Sequence, residues 1–228
     1  MNVSPIKTCN ITSKPMFGQG CDEQKSSYSL KEKSILGASA VVGVAAGCAI
    51  LAKQAGHKLK PSQILEYMKK VDFEAKPVIT IGAGSCLGGL AGGCCIDKDY
   101  NNRKAKTREA VMQIGNISIP ILTVKYLAEW TEKYGKAIKS VSAVGAVFLG
   151  VFLANILMNK LGNFLFGNKQ EERGVKATDF SAHLDDFVLA ATYISKVDIV
   201  HKIGRLVPFA LLIPGYEIAK KEACVNNK

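Results

Sequence analysis

The chain has 228 residues, 48% of them hydrophobic and 21% charged, with a mean hydropathy of +0.12 and a formal net charge of +11. That length allows one domain or two, and the basic excess suits nucleic acid or an anionic membrane surface. The charges cluster between uncharged runs, so a bilayer with anionic headgroups is the expected partner and nucleic acid is not. Seven cysteines, an odd number with no CxxC spacing, exclude a secreted disulfide framework.

Residues 1–34 are polar, with scattered Lys, Ser, Pro and Gly and no apolar core of a signal peptide, which predicts a disordered tail. A helical membrane domain is expected over 35–220, and a short C-terminal tail over 221–228. Residues 35–52 form the first uncharged run, between Lys33 and Lys53. Ser39, Gly43 and Gly47 recur there at i, i+4 and i+8, so one face is made of small residues that a second helix can approach closely. Residues 53–76 are a basic connector. Within it, 61–73 reads as an amphipathic helix with Ile64, Leu65, Met68 and Val71 on one side.

Residues 77–96 carry no charge and contain six glycines. As a helix this run is about 30 Å long, the thickness of the hydrocarbon core of a bilayer. Gly84, Gly88 and Gly92 form one row, and Ser85, Gly89 and Gly93 the next. The expected partner of these rows is the Ser39, Gly43 and Gly47 face of the first run, in a glycine-zipper packing. A remote alternative is a soluble nucleotide-binding domain, because Gly82 and Gly84 open a partial GxGxxG fingerprint; its third glycine position holds Leu87. Cys94 and Cys95 end the run. They are expected to pack between helices, with acylation at the membrane boundary as the sharper alternative.

Residues 97–109 read as a charged loop. A weaker apolar segment follows at 110–124, holding Gln113, Asn116 and Pro120, with Lys125, Tyr126 and Trp130 placed to anchor it at an interface. Residues 138–166 are the third strong apolar run, in which Asn155 is the strongly polar residue of the central part. After a charged loop at 167–176, residues 178–197 read as a helix, and 206–219 as an apolar segment broken by Pro208 and Pro214, kinked or re-entrant.

The expected fold class is therefore all-α, a multi-pass transmembrane bundle of about six segments in three helical hairpins. The odd-numbered segments begin near residues 35, 105 and 175, a spacing of about 70 residues that suggests an internal repeat. The distribution of Lys and Arg favours both termini on the cytoplasmic side.

For chemistry, Asp179, His183 and Asp186 share a helix face at i, i+4 and i+7. A histidine with carboxylates binds a metal or relays protons, so His183 and Asp186 are candidate metal ligands. The plainer alternative is that the acids, Asp185 included, sit in the first turns, where carboxylates favour a helix N-terminus. With Gln113, Asn116 and Asn155 they make up a candidate polar interior. No Ser-His-Asp set, HExxH motif or Walker A loop occurs, so neither an enzyme nor a cofactor is expected. Two functions follow: a small transporter or channel-like protein with a polar interior, or a membrane scaffold that forms homo-oligomers through its small-residue faces.

Overall fold

The computed structural model describes residues 28–72, 74–167 and 206–221, and among these every regular element is helical. In chain order they are α1 (Leu30–Gln54), α2 (Pro61–Lys70), α3 (Ala75–Ile96), α4 (Tyr100–Thr131), a 3-10 turn (Glu132–Tyr134), α5 (Lys136–Phe166), α6 (Val207–Ala210) and α7 (Leu212–Lys220). Four helical stretches are long and apolar enough to cross a membrane: Leu30–Gln54, Ala75–Ile96, Tyr100–Tyr134 and Ala137–Phe166. They fit a membrane protein in general. Of the six expected segments, the one at 178–197 lies outside the described residues. The one at 206–219 is two short helices that break at Leu211, which is buried.

Local chemistry moves several boundaries. α1 starts at Leu30, before the apolar run, because Ser29 and Glu32 form a reciprocal capping box: Ser29 Oγ accepts from the Glu32 amide, and the Ser29 amide donates to Glu32 Oε2 at 2.8 Å. The expected charged loop at 97–109 is mostly helix. Asp99 caps α4 by accepting from the Asn102 amide at 3.0 Å, and the Lys, Arg and Ala that follow are good helix formers. In α2 the packed stripe is Ile64, Tyr67 and Met68, while Leu65 is exposed, so the amphipathic face is one position off the expected one. Gly135 makes the turn into α5 with φ of +98°, a conformation that disfavours any Cβ.

α3 is the axis of the molecule and packs against α1, α4 and α7. α1 and α4 run antiparallel to it, and α7 runs parallel. Its glycines are where backbones meet. A Cβ on Gly88 would lie 2.5 Å from the Ser39 carbonyl oxygen and 2.7 Å from Gly43 Cα. Gly84 faces Gly43 and Gly47, and Gly92 faces the Ser39 side chain. The adjacent row turns to α7, where Gly89 meets the Gly215 carbonyl and Gly93 meets Ala219. Such close approach gives dispersion contacts between backbones, the main source of helix association where lipid removes the hydrophobic drive. α5 packs on the far side of α4, with Gly150 against Pro120 and Gly115 against Met158.

The dinucleotide fingerprint does not survive this geometry. Gly82 and Gly84 lie inside α3, and the described residues contain no strand from which a phosphate-binding turn could open.

Candidate functional site

Among the described residues, two larger polar groupings stand out within the apolar packing. The first closes the bundle end where α1 begins and α3 and α7 finish. Lys106, in the second turn of α4, is fully buried at 0% exposure, and its partner Asp97 is 12% exposed. The ammonium lies 3.6 Å from Asp97 Oδ2. It donates to Tyr28 Oη at 3.0 Å, to the Ala219 carbonyl at 3.0 Å and to the Lys221 carbonyl. Tyr28 in turn donates to Asp97 Oδ2 at 3.1 Å. The three protons of the ammonium thus meet three oxygens. Two of these oxygens are carbonyls at the C-terminal end of α7, which have no partner within a helix and carry the negative end of its dipole. One lysine therefore ties the residues before α1, the α3–α4 connection and the end of α7 together.

The second grouping is a seam between α4 and α5. Arg108 lies beside Gly162, where a Cβ would be 3.4 Å from Nε, and Gly115 meets Met158. The two antiparallel helices therefore bring Arg108, Glu109, Gln113 and Asn116 to the same stretch as Asn155, Asn159 and Asn163. Gln113 is buried at 3% exposure and donates to Glu109 Oε1 at 3.1 Å. Asn159 donates to Asn155 Oδ1 at 3.1 Å. Asn116 and Asn155 are half-buried, and the buried Oδ1 of Asn163 has no hydrogen-bond partner. Polar groups at this depth in an apolar hairpin are costly unless they are bonded or line a wet path.

Of the candidate polar interior, Gln113, Asn116 and Asn155 lie along this hairpin, whereas Asp179, His183 and Asp186 lie outside the described residues. No group of three or more potential metal ligands occurs among the described residues. Cys48 and Cys86 are buried, Cys94 is half-buried and Cys95 is exposed, all four as free thiols. The lysine node is not legible as a site in the sequence, because the charge over 97–109 reads as a loop. A signal did exist: Lys106, Ala110, Gln113, Ile117, Ile121 and Val124 continue one helical stripe, and all six are buried.

Compared with protein-family models, with curated proteins and with solved structures, the chain matches none.

Proposed function

We propose that this chain is an integral multi-pass membrane protein and that the α4/α5 seam is a polar path through it, as in a small transporter or channel-like protein. The observation that carries this reading is the run of Arg108, Glu109, Gln113 and Asn116 along the same stretch as Asn155, Asn159 and Asn163 in a hairpin whose outer face is apolar from Val141 to Leu157, with Lys160 exposed beyond it. Charge placement supports the membrane part. Gly93 packs near Lys106 and Gly82 near Ile117, while Gly47 packs near Ile81. By that register Lys53, Lys76 and Lys125 stand nearly level at one end, and Lys33, Asp97 and Arg103 at the other. About twenty residues separate the two levels, roughly 30 Å of helix, which matches a hydrocarbon core. Arg108 and Glu109 then lie inside the apolar layer, where ionisable groups usually mark a pathway. Sequence spacing adds Asp179, His183 and Asp186 as further residues of the path, with His183 and Asp186 as its metal or proton site. The Lys and Arg distribution favours cytoplasmic termini.

Two measurements test this in order. Alkaline carbonate extraction is expected to leave the protein in the membrane pellet; release into the supernatant defeats the integral reading. Proteoliposomes holding the purified protein are then expected to pass one of K⁺, Cl⁻ or H⁺. Gln113→Leu with Asn155→Leu should lower that flux at least about tenfold, on the cost of leaving a polar solute unpaired. Absence of flux for all three ions in the parent protein sinks the transport reading.

The scaffold reading takes a changed form. The Gly84 and Gly89 rows are covered within the chain by α1 and α7, so self-association would use the outer face of α5, where Phe148, Phe152, Ile156 and Phe164 are exposed.

A further inference from the structure

We infer that the face of α4 from Ile119 to Trp130 holds one anionic phospholipid, its acyl chain in the groove and its phosphate at Lys133. This inference rests on the membrane reading above. Ile119, Leu122, Thr123, Tyr126, Leu127 and Trp130 line an open, almost wholly apolar groove of about 480 Å³. These residues follow one side of a helix, so the groove runs along the helix axis for roughly 16 Å, in the direction of a lipid chain. Its polarity is graded. Ile119, Leu122 and Thr123 lie inside the level of Lys53, Lys76 and Lys125, at acyl depth. Tyr126 and Trp130 lie just beyond it, where aromatic rings favour the headgroup layer.

Lys133 completes the outer mouth. Helical side chains lean back toward the N-terminus, so Lys133 reaches over the preceding turn. Its ammonium sits 5.7 Å from the Trp130 ring centre and 4.9 Å from that of Tyr134, and the two rings meet edge to face at 6.1 Å. A cation already held over two aromatic faces disfavours a choline headgroup and favours a phosphate that keeps no cation of its own. The nearby acids do not cancel it. Glu132 bonds to Lys139 at 2.9 Å, and Glu129, one turn before Lys133, forms no ion pair with it among the described residues.

The test is native mass spectrometry of the purified full chain in detergent, given phosphatidylglycerol or phosphatidylcholine with identical chains. The parent protein should retain one phosphatidylglycerol at least about fivefold more often than phosphatidylcholine, the discrimination expected of one basic residue near a lipid surface. Lys133→Glu should remove that preference, and Leu122→Trp, which fills the groove, should lower retention of both lipids. Both variants keep the parent melting temperature, because neither residue is buried. Equal retention of the two lipids by the parent overturns the site. So does a preference that survives Lys133→Glu, or retention unchanged by Leu122→Trp. Carbonate extraction separates the two outcomes: protein that stays in the pellet but lacks the lipid preference loses this site alone, whereas protein released into the supernatant loses the membrane reading as well.

Discussion

Gly88→Leu is expected to prevent α1 and α3 from docking, with a loss of roughly 3 kcal/mol or more, at the top of the range for overpacked sites. The reason is what a side chain would meet. The Ser39 carbonyl and Gly43 Cα lie 2.5 and 2.7 Å from the first added carbon, and both belong to the backbone of a neighbouring helix. A flexible side chain could swing aside; a helix axis has to move. Once α1 moves away, Gly84 and Gly92 lose their contacts along the same row, so one substitution releases the whole crossing. Two controls isolate this cause. Gly37→Leu makes the same chemical change on α1, where no atom lies within 4 Å of the added carbon, and should be neutral or slightly stabilising through helix propensity. Leu87→Gly, at a position 56% exposed, should cost no more than about 1 kcal/mol, the propensity difference of a glycine in a helix. Thermal melting of the three variants in one detergent reads the order directly. Equal tolerance of Gly88→Leu and Gly37→Leu would show that the close approach is not what holds α1 to α3.

The contrast between α3 and α4 explains what the sequence made legible. In α3 the absence of charge over a bilayer's length is a one-dimensional signal, and glycines every fourth residue mark a face without knowledge of its partner. α4 hides the same information. Charge over 97–109 argues for solvent by composition, but composition does not report that Asp99 caps a helix, or that the stripe holding Ile117 and Ile121 runs back to Lys106. A charged residue on an apolar stripe is affordable only if distant groups arrive to bond it, and here these come from residues 28 and 219–221. Such long-range partners leave no local trace. The seam was half legible for a related reason. Gln113, Asn116 and Asn155 are conspicuous in apolar surroundings. Arg108 and Asn163 sit near segment ends, where polar residues are ordinary, and only the antiparallel docking of α5 on α4 brings them to the same level.

Loss of the lysine node is expected to destabilise the bundle end by an amount that depends on which partner is removed. Lys106→Met fills much of the same volume but leaves Asp97 without its cation and the Ala219 and Lys221 carbonyls without their donor. Breaking a buried ion pair from one side costs about 3–5 kcal/mol. The damage should be local, and amide hydrogen exchange should rise first in α7, whose C-terminal carbonyls lose their bond. Asp97→Leu is the mirror case: the ammonium keeps its three oxygens but loses its counter-charge, with a comparable penalty. Tyr28→Phe removes the hydroxyl that links the two and should cost about 1–3 kcal/mol, the desolvation of groups left unbonded. The double variant Lys106→Met with Asp97→Leu discriminates between a local electrostatic pair and a diffuse packing role. If the pair is the cause, the two changes together cost less than their sum, because neither charge remains to be buried alone. A strictly additive cycle would mean that Lys106 acts through its aliphatic stem against Gly93 and not through its charge. The residues before α1 would then be held to the bundle by packing alone, and Tyr28→Phe would leave the melting temperature unchanged.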